Sequence, residues 1–241
     1  KRFRPVPSGR VHVPLAYAQW LALGAVGIGA AALVGGAFAW TMALLWGMGC
    51  VYNIPPVRSK DVPYLDVLSE AVNNPLRMAA GWFLVVDDLL PPATLLLAYW
   101  MVGCYFMGIK RLNEVRELGG TGVLAEYRRS LAALSAEQVL IAVTFYGSSA
   151  MLFFGAFLMR YRLELVLSFP AVALVMAAYL ELGFRKTGAA QNPEKLYREP
   201  RLMLAVGTCM VLVGVLLFVD IPGLHRLVDP GAIGSMRTLS R

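Results

Sequence analysis

Charged side chains are scarce in this chain. Asp, Glu, Lys and Arg make up 15% of its 241 residues, whereas hydrophobic residues make up 58%. A soluble domain has about 25% charged and about 45–50% apolar residues, so the composition excludes an ordinary soluble enzyme and predicts an integral membrane protein. The formal net charge of +7 is then explained by cations in cytoplasmic loops, and no nucleic-acid partner is expected.

Histidine and cysteine are also rare. His12 and His225 are isolated, and Cys50, Cys104 and Cys209 lie in apolar surroundings without CxxC spacing. We therefore expect small buried thiols and no imidazole or thiolate metal cluster. The sequence has no GxSxG, HExxH or GxxxxGK[ST] motif, which excludes the site types that these motifs mark. Any chemistry must use carboxylates, amides and cations.

Long apolar runs are what the chain has in abundance. A spanning helix needs about 20 apolar residues, and seven segments meet this expectation: 14–34, 37–53, 65–86, 91–109, 136–159, 163–183 and 202–219. The predicted fold class is therefore all-α, a polytopic transmembrane helical bundle.

The basic residues predict how this bundle lies in the membrane. Most of the 22 Lys and Arg residues fall in four alternate connections: the N-terminal arm and residues 54–63, 110–135 and 185–201. Cations concentrate on the cytoplasmic side, so these loops are predicted to be cytoplasmic, in a membrane of the bacterial inner type. They are also the long loops, where chemistry is expected.

One polar stretch, from Tyr52 to Arg77, separates two of the apolar segments. It opens with a proline-stiffened loop that carries Arg58 and Lys60. Arg binds phosphate oxygens in a bidentate manner and Lys acts as a point charge. This loop is therefore a candidate phosphate-binding element.

The second half of the stretch predicts a polar helical face. Asp66, Glu70, Asn73 and Arg77 recur at i, i+4, i+7 and i+11, a spacing that places them on one side of a helix. Either they form a hydrogen-bonded seam between helices or they line a cavity, and four such residues favour the cavity. Pro75 predicts a kink near Asn73 and Asn74.

A second candidate region follows the 91–109 segment. Lys110, Asn113, Glu114 and Glu117 can share the face of a short helix that extends from the membrane, as a solvated helix end or as part of a site. Residues 125–131 predict an amphipathic surface helix with basic anchors.

These parts suit a ligand with an anionic head and an apolar tail, such as a polyprenyl diphosphate. Carboxylate and amide oxygens can hold Mg²⁺, which bridges a few protein oxygens to substrate phosphates. Bond cleavage would then depend on stabilising the leaving diphosphate with cations and metal.

Two motifs give the chain a resemblance to the UbiA superfamily of membrane prenyltransferases, over nearly its whole length. The motif RPxPSG reads here Arg4-Pro5-Val6-Pro7-Ser8-Gly9. The motif YxxPPxRxKxxPxLDxxS is matched by Tyr52, Pro55, Pro56, Arg58, Lys60, Pro63, Leu65, Asp66 and Ser69.

The resemblance implies nine transmembrane helices around a central cavity. The family's first Asp-rich motif would lie just before Lys1, so residues 1–241 are expected to form one UbiA-like domain that lacks helices 1 and 2, with seven helices visible. Residues 110–135 correspond to the loop that holds the second Asp-rich motif. The usual DxxxD is absent there, and the expected stand-ins as metal ligands are Asn113, Glu114 and Glu117.

The implied activity is that of a Mg²⁺-dependent transferase that moves a prenyl group from a prenyl diphosphate to a small aromatic or lipid acceptor. The residues expected at the catalytic centre are Arg58, Lys60, Asp66, Asn73, Asn74 and Arg77. Those expected to bind substrate are Arg4, Ser8, Tyr52, Lys110 and Arg111. The partners implied are these substrates and the lipid bilayer, and no protein partner is inferred.

Two alternatives stay open. The patterns Lys110-Arg111-x-x-Glu114, Leu76-Arg77 and Asn192-Pro193-Glu194 resemble the branch that transfers phosphoribose from phosphoribosyl diphosphate to a polyprenyl phosphate. A non-catalytic lipid-binding or transport protein could use the same cavity, although transporters often carry paired broken helices and only the 65–86 segment is interrupted.

Overall fold

All regular structure that is described is helical. The computed structural model describes residues 5–6, 8–86, 88–119, 123–185 and 193–224. Contacts between residues divide the chain into two compact units, Lys1–Pro91 and Pro92–Arg241. The division falls at the Pro91-Pro92 pair, where neither residue can donate a backbone hydrogen bond.

Unit 1 contains four α-helices and one short 3₁₀ helix. They are α1 (Val13–Val34), α2 (Gly36–Asn53), the 3₁₀ helix Ser59–Asp61, α3 (Leu65–Ala71) and α4 (Asn73–Phe83). Only Gly35 separates α1 from α2, as the Gly35-Gly36 pair indicates, and the two helices form a hairpin. Trp20 and Trp46 stack across this hairpin with ring centroids 4.8 Å apart.

The 65–86 segment is interrupted, as its proline predicts. α3 ends at Ala71 and α4 begins at Asn73, with Val72 between them. Pro75 has no backbone N–H and cannot donate to the Ala71 carbonyl, so one helical backbone hydrogen bond is missing at this point. Val72 itself keeps helical dihedral angles (φ −61°, ψ −20°), and its carbonyl accepts from the Leu76 N–H at 3.3 Å. The segment is therefore kinked at Val72, as Pro75 predicts, and α3 and α4 follow each other directly.

Unit 2 contains the longer helices. They are α5 (Ala93–Leu118), α6 (Leu124–Tyr127), the 3₁₀ helix Arg129–Leu131, α7 (Ala136–Tyr161), the 3₁₀ helix Leu163–Ser168, α8 (Phe169–Phe184), the 3₁₀ helix Pro193–Arg198 and α9 (Pro200–Phe218). A capping box formed by Ser135 and Gln138 starts α7. Glycines allow close packing on α5: a Cβ on Gly108 would lie 2.8 Å from Val143 Cγ2 of α7, as is common where membrane helices meet.

Five helices of the described chain are long and apolar enough to cross a membrane. They are Val13–Val34, Ala93–Leu118, Ala136–Tyr161, Leu163–Phe184 and Pro200–Phe218. Two of the seven predicted spans are not among them. The 37–53 segment is helical, but its Gly, Trp, Thr and Asn residues make it less apolar. The 65–86 segment is divided at Val72 into α3 and α4, and each of these is too short to cross a membrane alone.

An ion-pair cluster fastens the start of the Leu163–Ser168 helix to the end of α9. Arg162 Nη1 lies 2.8 Å from Asp220 Oδ1, and its Nε lies 3.4 Å from Glu164 Oε2. Arg162 Nη2 also donates to the Val219 carbonyl at 3.1 Å. Cys104 is buried, as the sequence predicts, whereas Cys50 and Cys209 are half-buried.

Candidate functional site

The loop between α2 and α3 has an unusual backbone. The Arg58 N–H donates to the Ile54 carbonyl at 3.0 Å, which closes a turn after the end of α2. Arg58 has φ 37° and Tyr64 has φ 64°, values that are uncommon for residues other than glycine. Such conformations cost about 1–3 kcal/mol each and cluster at functional sites. Two of them within seven residues mark this loop as a candidate site.

Side-chain hydrogen bonds attach this loop and the end of α2 to α3. Tyr52 Oη donates to Glu70 Oε2 at 2.8 Å. The hydroxyls of Ser59 and Ser69 lie 2.7 Å apart, and Ser59 is buried. Tyr52 and Ser69 are both motif residues, and their bonds hold the loop in one position.

The two cations of the loop are also held by neighbours. Lys60 Nζ donates to Asn53 Oδ1 at 3.1 Å, and Arg58 Nε lies 2.8 Å from Asp61 Oδ2. Both cations border a cavity of about 670 Å³ in unit 1. The other lining residues are Val6, Val13, Ala16, Tyr17, Trp20, Gly49, Asn53, Ile54 and Pro55. Cations and aromatic rings therefore share one cavity.

The polar face along α3 and α4 goes from buried to exposed. Asp66 is only 1% exposed and lies in the first turn of α3, where the helix dipole favours a negative charge. Asn73 and Asn74 are half-buried, and Arg77 is exposed. Within the described chain, Asn73 Oδ1 is enclosed and has no hydrogen-bond partner, and neither Asn73 nor Asp66 lines the cavity beside Arg58 and Lys60.

The N-terminal arm forms a turn before α1. Ser8 is exposed, and its hydroxyl donates to the Pro5 carbonyl at 3.1 Å. Gly9 has φ 72°, a conformation that glycine adopts without steric cost. Two residues singled out in the sequence, Arg4 and Asn192, lie outside the described residues.

In unit 2, α5 continues beyond its apolar part, and Lys110 and Arg111 lie in its C-terminal third. Arg111 is 3% exposed and Glu114 is 4% exposed. Arg111 Nη1 donates to both carboxylate oxygens of Glu114, at 3.2 Å each. Arg111 therefore acts as a buried ion-pair partner on its own helix.

A second arginine reaches the same carboxylate. Arg128 Nε lies 3.4 Å from Glu114 Oε2, and the Arg128 side chain is 19% exposed. Ser130 and Leu131 are buried, whereas α6, Leu124–Tyr127, has no buried residue and Arg129 is exposed. The end of the segment 124–131 therefore packs into unit 2, and its first turn lies at the surface, as the sequence predicts. Sequence reasoning missed Arg128 because its charge alone does not distinguish a membrane-surface anchor from an ion-pair partner.

Asn113 and Glu117 have different surroundings from Glu114. Asn113 Nδ2 donates to the carbonyls of Gly183 and Arg185, at 3.4 and 3.3 Å, and so satisfies carbonyls at the C-terminal end of α8. Glu117 is exposed. A smaller cavity of about 310 Å³ is lined by Asn113, Arg116, Glu117, Gly183, Phe184 and Arg185.

The cations beside this smaller cavity have partners. Arg116 lies over the Phe184 ring, 4.8 Å from its centroid. Arg185 contacts Glu181 at 2.6 Å and Glu199 at 3.1 Å. The hydrogen bond to Glu181 raises the pKa of the Arg185 guanidinium above its ordinary value. This cavity is therefore bordered by charges that are already paired.

The expected metal ligands do not converge on one point. Asn113 caps α8, Glu114 is paired with two arginines, and Glu117 is exposed. Across the described residues, no group of three or more His, Cys, Asp or Glu side chains could hold a metal ion. The described end of α5 thus does not fit a divalent cation.

Comparison with known proteins points to one family. The model of the UbiA prenyltransferase family matches residues 1–206. A solved structure of a UbiA homolog from Archaeoglobus fulgidus bound to Cd²⁺ has a TM-score of 0.63 and 20% sequence identity, over 90% of this chain and 78% of that chain. This likeness concerns the fold. The search of curated proteins found no match.

Proposed function

The chain belongs to the UbiA prenyltransferase family, and on that premise we propose that it transfers a prenyl group from a prenyl diphosphate to a small aromatic or lipid acceptor. It is an integral membrane protein with an all-helical UbiA-type fold. The proposed reaction takes place at the cytoplasmic side of the membrane, where most of the basic residues are predicted to lie.

One observation carries this proposal. In unit 1, Arg58 and Lys60 border the same cavity as Tyr17 and Trp20. A diphosphate needs cations that are already in position, and an isoprenoid chain needs apolar and aromatic walls. The hydrogen bonds of Tyr52, Ser59 and Lys60 fix the cations before any ligand arrives.

The proposed roles follow from these positions. Lys60 and Arg58 bind the donor diphosphate and stabilise the negative charge that develops on it as the bond to the prenyl carbon breaks. Asp66, Asn73 and Asn74 do not line this cavity and are proposed as further members of the catalytic centre, as is Arg77, which is exposed. Tyr52 positions the loop through Glu70. Arg4, Ser8 and Lys110 remain proposed substrate contacts, and Arg111 acts through its ion pair.

Dependence on a divalent metal is a separate proposal. The A. fulgidus homolog was solved with Cd²⁺ bound, and Mg²⁺ is the ion that cells supply with diphosphates. We assign no reaction step to the ion, because the described end of α5 does not fit it. Chelation with EDTA should abolish transfer, and added Mg²⁺ should restore it.

A donor assay tests the function. Full-length protein in lipid nanodiscs is incubated with radiolabelled prenyl diphosphates and a lipid-soluble acceptor extract. We expect label in the acceptor fraction, and we expect Lys60→Gln to lower the transfer rate at least tenfold, since a charge-assisted hydrogen bond is worth about 1.5–3 kcal/mol. Arg160→Gln, the same charge change at an exposed residue, serves as the control.

The same assay separates the alternatives. Label that moves only from phosphoribosyl diphosphate to a polyprenyl phosphate would replace prenyl transfer with phosphoribosyl transfer. Saturable binding of prenyl diphosphate without turnover would indicate a lipid-binding or transport protein. Neither binding nor transfer by correctly folded protein would refute the proposal.

A further inference from the structure

Glu114 has the wrong partners for a metal ligand. It lies in the region where the resemblance places the second metal motif, yet its carboxylate faces Arg111 Nη1 at 3.2 Å and Arg128 Nε at 3.4 Å. A carboxylate binds Mg²⁺ through the oxygens that these guanidinium groups already occupy. Binding an ion here would require Glu114 to give up two charged partners.

The burial of the cluster makes that exchange unfavourable. Arg111 and Glu114 are almost fully buried, and removing one partner of a buried ion pair leaves an uncompensated charge in a poorly solvated place. A divalent cation would also bring two further positive charges next to Arg111 and Arg128. Both effects oppose a metal ion at this carboxylate.

Two arginines occupy the place beside Glu114 that a divalent ion would need. Both guanidinium groups face the Glu114 carboxylate, Arg111 from the same helix and Arg128 from the segment that follows it. We infer that the end of α5 carries a fixed guanidinium cluster in place of a metal ion. Glu114 then has a structural role, in which it holds Arg128 against α5.

Two measurements that need no activity test this inference: the melting temperature and the number of Mn²⁺ ions bound per chain, determined by electron paramagnetic resonance. We expect Glu114→Gln to lower the Tm on the order of 10 °C and to leave the number of bound Mn²⁺ ions as in wild type. Glu126→Gln makes the same charge change at an exposed residue of the same unit and should alter neither quantity.

Arg128→Gln covers the case in which Glu114→Gln does not fold, because it should also lower the Tm while leaving the number of bound Mn²⁺ ions unchanged. Arg128 is partly exposed, so Arg128→Gln is the milder change. If the cluster is structural, Glu114→Gln combined with Arg128→Gln should lower the Tm by less than the sum of the single changes. Additive effects would overturn the inference. So would an unchanged Tm for Glu114→Gln together with the loss of one bound Mn²⁺.

Discussion

Single residues in this protein are best understood through their partners. Glu114 and Glu164 are both buried carboxylates, and each is paired with arginine. Buried charges of this kind persist only when they are paired and hydrogen-bonded. Lys60 donates to the amide oxygen of Asn53 and borders the larger cavity. Burial and access to this cavity thus separate structural charges from candidate binding charges.

The Arg162 cluster gives a stability prediction. Arg162→Ala should lower the free energy of unfolding by about 2 kcal/mol or more, because Glu164, 1% exposed, loses a charged partner and the Val219 carbonyl loses a donor. Thermal unfolding in detergent measures the change. Arg160→Ala removes an exposed arginine two residues earlier and should have little effect. Equal effects of the two substitutions would show that the contacts of Arg162 contribute nothing.

At the scale of helices, the interruption at Val72 sets the direction of the polar side chains. Pro75→Ala restores the N–H that can donate to the Ala71 carbonyl. We expect a more continuous helix, a displaced Asn73 and a loss of transfer of about tenfold or more, with little change in Tm. Pro200→Ala is the control, because Pro200 begins α9, where proline is well tolerated. Full activity of Pro75→Ala would show that the interruption has no functional role.

Close helix packing gives a second prediction at this scale. A Cβ on Gly183 would lie 2.7 Å from Ile109 Cγ2, on a β-branched side chain that cannot easily move. Gly183→Ala should therefore cost about 1–3 kcal/mol in unfolding free energy and disturb the contact of Asn113 with α8. A Cβ on Gly207 would meet no atom within 4 Å, so Gly207→Ala is the matched control. The prediction fails if both variants melt at the same temperature.

Helix positions could be predicted from the sequence because apolar length decides them. The predicted segments 14–34 and 136–159 correspond to Val13–Val34 and Ala136–Tyr161. The predicted 91–109 span and the short helix predicted to extend from it form one helix, Ala93–Leu118. Hydropathy falls at Lys110, but good helix formers continue to Leu118. Hydropathy therefore predicts the membrane span, and the helix itself continues beyond it.

Side-chain partners could not be predicted in the same way. The pairing of Arg111 with Glu114 is at i, i+3 and is local. Arg128, in contrast, contacts Glu114 only through the tertiary fold, and the spacing of residues in the sequence cannot predict such a contact. For this reason the sequence suggests a weakened metal motif, whereas the structure shows an ion-pair cluster.

At the scale of the whole chain, composition and family agree. Low charge content predicts a membrane protein, five described helices are able to span a bilayer, and the family match covers residues 1–206. Each compact unit has its own cationic region: the α2–α3 loop in unit 1 and the end of α5 in unit 2. The first borders a cavity with aromatic walls, whereas Arg111 and Glu114 of the second are buried. We therefore propose that the donor binds at the loop of unit 1.

The affinity of a non-hydrolysable prenyl thiolodiphosphate for wild type and for Lys60→Gln, measured by calorimetry in nanodiscs, tests this placement most directly. We predict that Lys60→Gln weakens binding about 10- to 100-fold, because the diphosphate loses a charged hydrogen-bond donor. Arg160→Gln should bind as wild type does. Equal affinity of Lys60→Gln and wild type, with both proteins folded, would contradict the placement.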